Sequence, residues 1–338
     1  MELTFKDDHI FRLTDDTGIL QHSKYAVPDP RHGYTTDDNA RALIMALMLY
    51  ERYGGTRYLN LVYRYASFLM YSQNENGRFR NFMGYDRKWL EDEGSEDCFG
   101  RCIWAMGFAI SNEATPPGVR NCLSYMLKRA EPNLENVESL RGKAYSIIGL
   151  TLAGGEKEKR LATGMAVSLC NEYDACSRGD WKWFEDRLTY SNFVLPWSLL
   201  AAYRASGEKR FYDAAFKSLE FLESIIFRDG FFRPVGCHGW FPKGGKPAEY
   251  DEQPVEACEG VLTYSCLYEL TGDKEYLQKA RKCHAWYLGE NSRGLSLVDA
   301  ETGGCFDGLT DSGLNLNMGA ESLVSYMISH LTVAGFDR

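Results

Sequence analysis

A repeated turn divides this chain into helical hairpins. The pattern of Gly, three residues and an aromatic residue occurs at 54–58, 207–211 and 272–276, each time between two stretches with helical periodicity. Between these hairpins, a loop glycine followed by alternating apolar residues recurs at Gly18, Gly77, Gly179, Gly230 and Gly294. Repeated units constrain a fold strongly, because each unit must bury its apolar face against its neighbours. The sequence therefore predicts tight helical hairpins joined by longer loops.

The helices of these hairpins are of two kinds. Residues 40–50 and 193–203 are apolar nearly all round, as a helix buried on both sides requires. Residues 212–226 instead carry one apolar stripe, with Asp213 and Lys217 on the opposite face. We expect about six inner helices of the first kind and about five outer helices of the second. The inner helices are expected to begin near Thr36, Ser95, Arg141, Ser191, Glu252 and Leu316.

Alternating inner and outer helices predict an all-α fold, an (α/α)6 toroid of about eleven helices. The ring is expected to be incomplete at the N-terminus, because residues 13–33 resemble an inter-hairpin loop with no outer helix before it. Strand signals are confined to short stretches such as 295–298, which predicts small β-hairpins at one mouth of the toroid. A closed ring would let all 338 residues, 1–338, form one domain despite a length beyond the usual single core.

Charge and composition exclude several classes of partner. The net charge of -9, without a compensating basic run, predicts no nucleic-acid binding. No stretch reaches the roughly 18 apolar residues of a membrane span, and residues 1–12 do not resemble a signal peptide, so we expect a cytoplasmic protein that binds no membrane.

The spacing of the cysteines and glycines predicts that the protein has no metal site and no other cofactor site. The ten cysteines are irregularly spaced, form no C-x-x-C pair and are expected to be free thiols. Cys98 and Cys102 have no neighbouring histidine that would complete a zinc site. The glycines at 244–245 lack the spacing of a phosphate-binding loop.

The mouth of the predicted toroid is rich in carboxylates and amides. The loops between hairpins and the N-termini of the inner helices must gather at the same end. Glycoside hydrolysis requires a carboxylic acid and a second carboxylate, while amides hold sugar hydroxyls. The polar residues expected at this mouth are Asp37, Asp38, Asn39, Glu96, Asp97, Asn192, Asp251, Gln253, Glu256, Asn315, Asn317 and Glu321.

A purely structural interpretation exists for many of these acids. Carboxylates in the first turn of a helix are stabilised by about 0.3 to 1 kcal/mol through the helix dipole. Arg41 and Arg101 are spaced to pair with acids one turn earlier, although they could equally bind a substrate. Glu256 and Glu321 lie about one turn inside inner helices, where a carboxylate needs a partner.

Aromatic residues supply candidate stacking surfaces. Trp181, Trp183 and Tyr190 lie within ten positions, and the alternation at 180–183 suits a mouth hairpin with one face towards a sugar. We therefore predict that Trp181 or Trp183 stacks on a sugar ring, although core packing would also explain the cluster. The loop histidines at 22, 32 and 238 form no metal or triad pattern.

Four segments resemble a group of bacterial and archaeal proteins of the six-hairpin glycosidase superfamily. They are TTDDNAR at 35–41, SED at 95–97, WKWFE at 181–185 and NLNMGAE at 315–321. The resemblance spans nearly the whole chain and implies the toroid fold. Related domains occur alone or appended to glycosyltransferases, which implies a glycosyltransferase as a partner.

Together these features predict a glycoside hydrolase that acts on an oligosaccharide or glycan. At least two of Asp38, Asp97, Asp251 and Glu256 are expected to face one cavity, with Asp38 or Asp97 as the acid, Asp251 or Glu256 as the base, and inversion favoured. The expected sugar-binding residues are Asp37, Asn39, Arg41, Arg101, Trp181, Trp183, Tyr190, Asn192, Gln253, Asn315, Asn317 and Glu321. Two alternatives remain: a non-catalytic glycan-binding domain, and a sugar epimerase or isomerase that uses histidine to carry the proton.

Overall fold

The structure, a computed structural model, describes residues 5–227 and 229–336. The first four residues of the N-terminal stretch 1–12 lie outside this range. In the described residues the α-helices are α1 Asp8–Leu13, α2 Thr36–Tyr53, α3 Thr56–Ser72, α4 Glu96–Ser111, α5 Pro117–Ala130, α6 Leu140–Ala153, α7 Glu156–Cys176, α8 Val194–Ser206, α9 Lys209–Ile226, α10 Pro254–Thr271, α11 Lys274–Ala285 and α12 Ala320–Gly335. None of these helices is both long and apolar enough to cross a bilayer.

The helices form two concentric layers. The inner helices α2, α4, α6, α8, α10 and α12 each pack against the next, and α12 packs against α2, which closes a ring. The helices α3, α5, α7, α9 and α11 lie outside it. Outer helix α9 buries Leu219 and Leu222 and exposes Asp213 and Lys217, as its stripe predicted. The predicted all-α toroid is therefore confirmed.

Three glycines end inner helices at the predicted tight turns. Gly54, Gly207 and Gly272 follow α2, α8 and α10 with φ values of 64°, 73° and 72°. Side chains rarely adopt this left-handed region, which explains why glycine recurs there. Each glycine N–H donates to a carbonyl four residues earlier, so the repeated sequence pattern corresponds to a repeated helix end.

The N-terminal segment differs from expectation in one respect. Residues 13–33 were predicted to follow no helix, but the six-residue α1 precedes them and packs against α12. His9 anchors α1 by donating from Nε2 to the carbonyl of Met318 at 2.8 Å. With six residues, α1 is much shorter than the outer helices, which have 12 to 21 residues. In the described residues, five full outer helices therefore surround the ring, and the short α1 stands where a sixth would lie.

Short strands occur only in loops that lead into inner helices, within the described residues. They form four two-stranded antiparallel sheets, each pairing neighbours in the series β1 Ser23–Lys24, β2 Val27–Pro28, β3 Tyr34–Thr35, β4 Phe82–Met83, β5 Arg187–Leu188, β6 Phe241–Pro242, β7 Gly308–Thr310 and β8 Gly313–Asn315. The strand expected at 295–298 is reduced to one isolated bridge between Val298 and Cys305, because Leu297 bonds instead to Tyr287.

Paired glycines bring inner helices α4 and α6 into close contact. Gly100 lies against Gly142, and seven residues further along both helices Gly107 lies against Gly149. A methyl group built on Gly107 would stand 1.9 Å from the carbonyl oxygen of Gly149, so only glycine fits at this crossing. Because both helices begin at the mouth, this contact also sets the spacing of the polar residues there.

Candidate functional site

Three of the inner helices have a hydroxyl side chain as their N-terminal cap at the mouth. Thr35, Ser95 and Ser139 cap α2, α4 and α6, and each accepts the backbone N–H three residues further on. Glu96 has a structural role as well, since it accepts the two N–H groups just before α6 at 2.8 and 2.6 Å. The structural interpretation therefore holds for Glu96, whereas Asp37, Asp38 and Glu321, which also lie in first turns, line a cavity.

That cavity has a volume of about 310 Å³ and opens among the N-terminal ends of α2, α10 and α12. Ligand pockets commonly range from about 300 to 1,000 Å³, so it suits a small polar ligand. Of the predicted site residues, it collects Asp37, Asp38, Arg41, Asn315 and Glu321. We call it the mouth cavity; the complete lining is Gln21, His22, Asp37, Asp38, Arg41, Pro254, Asp307, Asn315, Gly319, Glu321 and Ser322.

Asp38 is the buried carboxyl of the mouth cavity, with a side chain only 5% exposed. It accepts the Thr35 hydroxyl at 2.6 Å and an N–H of Arg41 at 2.7 Å. Burial, followed by the negative charge of neighbouring Asp37, raises the pKa of Asp38 to about 7. A substantial fraction of Asp38 therefore holds a proton at neutral pH.

Asp37 has the opposite behaviour although it is the adjacent residue. Burial alone would raise its pKa, but the guanidinium groups of Arg101, at 2.9 Å, and Arg41 outweigh burial and lower the pKa. Asp37 thus stays ionised where Asp38 can be protonated. Neighbouring groups whose pKa values are driven apart are typical of acid–base sites.

Arg41 binds carboxylates of the protein itself. Its three guanidinium nitrogens donate to Asp38, to Glu321 at 3.0 Å and to the Asp37 carbonyl. Its direct sugar-binding role was predicted, but the structure supports a positioning role for the two acids. Glu321 keeps 43% of its side chain exposed and forms the solvent-facing wall of the mouth cavity.

A second buried acidic pair lies on α10 outside the lining of the mouth cavity. Glu256 accepts Asn192 Nδ2 at 3.2 Å, and Glu259 accepts the Tyr145 hydroxyl. Burial, and then Glu259, raises the pKa of Glu256 to about 8; burial also raises that of Glu259. Sequence analysis missed Glu259, although an acid three residues after Glu256 in an apolar inner helix was a usable signal.

Replacing Glu256 by Gln is expected to make folding less sensitive to alkaline pH. In the unfolded chain the pKa of a glutamate is about 4.3, whereas in the native protein the pKa of Glu256 is about 8. Between these two pH values the native state therefore binds more protons than the unfolded state. Native stability therefore falls as pH rises through this window. Urea unfolding at pH 5, 7 and 9 should show that the variant gains more than about 1 kcal/mol relative to wild type between pH 5 and pH 9.

The matched control for this measurement is Glu220→Gln, which removes a solvent-exposed glutamate from α9. We expect its stability to follow the wild-type curve at all three pH values. Parallel curves for wild type and Glu256→Gln would show that Glu256 does not carry the proton.

Asp97 lies in another part of the mouth, between α4, α6 and the loop before α8. It accepts the Ser139 hydroxyl at 2.6 Å and the hydroxyl of Tyr190. Arg141 lies 4.8 Å from the centre of the Tyr190 ring and donates to Glu185 at 2.6 Å. Asp97 is thus held by structural contacts and does not line the mouth cavity that holds Asp38.

The two tryptophans expected to stack on sugar lie in the core. Trp183 is 0% exposed, and Trp181 is 7% exposed and donates from its indole to the Glu185 carbonyl at 2.7 Å. Both rings pack against Phe221 of α9. These contacts contradict the stacking role for both residues; Tyr190 is one of the aromatic residues that stay exposed near the mouth.

The remaining predicted residues are distributed around the mouth. Asn39 is buried and bonds to the backbone of residues 19 and 35. Asn317 is half-buried and accepts the Tyr25 N–H at 3.0 Å. Gln253 precedes α10 without a capping bond, and neither it nor Asp251 lines the mouth cavity. Asp251 and Glu256 therefore do not share that cavity with Asp38.

Two titratable residues of the mouth cavity were not among the predicted site residues. His22 lies edge-on to His32, with ring centres 4.9 Å apart, and burial followed by His32 lowers its pKa. Asp307 accepts the Gly319 N–H at 2.7 Å and the Ser322 hydroxyl at 2.6 Å. Both lie in loops, where no periodicity indicates the direction of a side chain.

In residues 5–227 and 229–336, no group of three or more His, Cys, Asp or Glu residues is arranged to hold a metal ion. The expectation that the protein uses no metal or other cofactor stays a prediction.

Comparison with known proteins gives matches in structure. No family model and no curated protein sequence matches the chain. A sugar epimerase from a ruminal bacterium is 15% identical with a TM-score of 0.75, covering 99% of this chain and 97% of its own. Cellobiose 2-epimerase from Bacillus thermoamylovorans is 11% identical with a TM-score of 0.74, covering 98% and 95%. The C. cellulolyticum cellulase Cel9M, in complex with cellobiose, is 10% identical with a TM-score of 0.65, covering 95% and 88%.

These similarities and the closed ring of hairpins define the class of fold. The chain has the (α/α)6 toroid fold, as the alternation of inner and outer helices predicted.

Proposed function

We propose that this chain is a glycoside hydrolase that acts on an oligosaccharide or glycan bound in the mouth cavity. One observation carries the proposal: Asp38, with its pKa near 7, lies beside ionised Asp37 in a cavity open to solvent. A proton donor of this kind is what cleavage of a glycosidic bond needs at neutral pH. Structurally similar proteins that are named for sugar epimerisation and cellulose hydrolysis support a saccharide as the ligand.

In the proposed reaction Asp38 protonates the oxygen of the departing sugar while its bond to the anomeric carbon breaks. The resulting Asp38 carboxylate is stabilised by Arg41 and the Thr35 hydroxyl. Glu321, exposed at the cavity wall, accepts a proton from the water that attacks the anomeric carbon. Asp37 keeps the pKa of Asp38 high. Attack by a water molecule on the anomeric carbon inverts its configuration.

This assignment replaces the bases expected from sequence. Neither Asp251 nor Glu256 lines the mouth cavity, whereas Glu321 does. The course of the reaction is measured by proton NMR of the first sugar released, in which an inverted anomer is expected. A retained anomer would instead show that a carboxylate attacks the anomeric carbon directly as a nucleophile.

The charge of the mouth cavity predicts which saccharides bind. Four carboxyl groups line it, those of Asp37, Asp38, Asp307 and Glu321, and Arg41 already donates to protein acceptors. An anionic sugar would meet like charges without a free cationic partner. In a screen of purified protein against a panel of oligosaccharides, we expect hydrolysis of a neutral or amino-sugar substrate and none of uronate-containing or sialylated ones.

The screen also separates the proposal from the glycan-binding alternative. Binding of a saccharide by calorimetry without release of reducing sugar would favour a binding domain that accompanies a glycosyltransferase. Turnover of an anionic substrate at a comparable rate would contradict the charge argument while leaving hydrolysis itself intact.

A second candidate function, a sugar epimerase or isomerase, is favoured by His22. This histidine lines the same cavity as Asp38, and burial followed by His32 lowers its pKa, so that the neutral ring can accept a proton from a sugar carbon. An epimerase would convert a monosaccharide or reducing end without cleaving a glycosidic bond. Product analysis by NMR distinguishes the two, and His22→Gln should stop epimerisation but not hydrolysis.

A further inference from the structure

A second cavity, of about 550 Å³, opens at the end of the toroid opposite the mouth. Every inner helix contributes to its wall, through residues well beyond the helix N-terminus: Ile44, Trp104, Ile148, Ala201, Leu262 and Ile328. We call it the rear cavity. It shares no lining residue with the mouth cavity.

A charged layer separates the two cavities. Arg41 and Arg101 belong to the mouth network, and the rear-cavity residues Ile44 and Trp104 follow them by three positions on α2 and α4. Three residues make about one helical turn. The rear cavity therefore begins about one turn beyond the buried ion pairs and constitutes a site of its own.

The wall of the rear cavity is suited to an apolar body. Trp104 and Trp197 meet edge to face, with ring centres 5.5 Å apart, and aliphatic side chains surround them. Transfer of apolar surface from water to such a wall is favourable in proportion to the area covered. A cavity of this size accommodates a small organic molecule.

Two polar features distinguish the rear cavity from an ordinary apolar depression. The Ser265 side chain lines it, is 4% exposed as a residue, and its hydroxyl has no hydrogen-bond partner among the described residues. A buried hydroxyl without a partner is destabilising, which a ligand acceptor would relieve. The lining also includes two cations, Lys159 and Arg204, against one anion, Glu269.

We propose that the rear cavity binds an amphipathic carboxylate of the fatty acid class. Its hydrocarbon body contacts Trp104, Trp197 and the aliphatic wall, and its carboxylate accepts a hydrogen bond from Ser265. Arg204 pairs with Glu269 at 2.8 Å, so the remaining positive charge of the lining comes with Lys159, whose ammonium also lies 3.5 Å from exposed Glu156 outside the lining. The carboxylate therefore complements the charge of the lining as well as its free hydroxyl.

Calorimetric titration with dodecanoate, below its micelle concentration, tests the proposal. We expect about one molecule bound per chain, and binding of dodecyltrimethylammonium at least about fivefold weaker, because the charge is reversed. Ala201→Trp, which fills the rear cavity, should abolish binding. Ser265→Ala and Lys159→Gln should each weaken it about threefold or more, whereas Lys209→Gln, an exposed lysine outside the lining, should not.

Several results would overturn the proposal. They are no binding by wild type, equal binding of the cationic and anionic detergents, or unchanged binding by folded Ala201→Trp; if that variant does not fold, Ala205→Phe replaces it. A further result that would overturn the proposal comes from light scattering. A dimer that persists with dodecanoate and is disrupted by the filling variant would assign the rear cavity to an interface between two copies of the chain.

Discussion

Asp38→Asn is expected to lower kcat by about 10² to 10⁴-fold on the substrate found in the saccharide screen, with binding of that substrate retained. An amide keeps the shape of the side chain and an oxygen for the N–H of Arg41, which donates at 2.7 Å in the wild type. It cannot deliver the proton that the departing sugar needs. Arg41 also keeps Glu321 as a partner, so no cation is left unpaired.

The pH profile gives an independent measure of the same residue. Because the pKa of Asp38 is about 7, its acid form predominates below that pH and is lost above it. Wild-type kcat/KM, which reports the ionisations of the free protein, should therefore fall on the alkaline side of about pH 7, and this fall should be absent from the residual activity of Asp38→Asn.

Asp16→Asn serves as the control for Asp38→Asn. Asp16 is an exposed aspartate paired with Arg87, and it does not line the mouth cavity. Its loss should leave kcat unchanged. Full activity in Asp38→Asn would reduce Asp38 to a structural partner of Arg41, and loss of both binding and folding would remove the distinction between the two roles.

Sequence reasoning located Asp38 because its evidence is local. Two acids directly after a hydroxyl cap, followed by an arginine at i+3, describe a helix N-terminus whatever the rest of the chain does. The alternation of inner and outer helices then placed that N-terminus at a shared mouth. Periodicity and caps depend on neighbouring residues, so α2 and α4 begin within one residue of the predicted Thr36 and Ser95. The uncapped helix α12 begins at Ala320, four positions beyond the predicted Leu316.

The tryptophans show where local evidence ends. Alternation at 180–183 predicts that one face of the segment is buried and one is exposed, but it does not say which. The answer comes from Phe221, about 40 positions away on α9, against which Trp181 and Trp183 pack. Asp307 and His22 were not predicted as site residues for the same reason. They lie in loops, where contacts with residues distant in sequence decide which way a side chain points.

Gly149→Ala is expected to destabilise the fold by about 3 kcal/mol or more, at the upper end of overpacking substitutions. The added methyl group would stand 2.2 Å from the Ile103 carbonyl oxygen on α4. The obstacle is backbone, so no side chain can move aside. The helices must separate, which also disturbs the contact of Gly100 with Gly142 seven residues closer to the mouth.

Gly164→Ala is the matched control for Gly149→Ala, because the same atom is added within helix α7 where nothing lies within 4 Å. There alanine should raise stability by about 0.5 to 1 kcal/mol through lower backbone entropy in the unfolded chain. Urea unfolding of the two variants should thus give shifts of opposite sign.

Since α4 carries Arg101 and α6 carries Tyr145, whose atoms approach to 3.5 Å, separating the helices should also weaken saccharide binding at the mouth. A Gly149→Ala protein as stable as wild type would show that α4 and α6 do not depend on this contact.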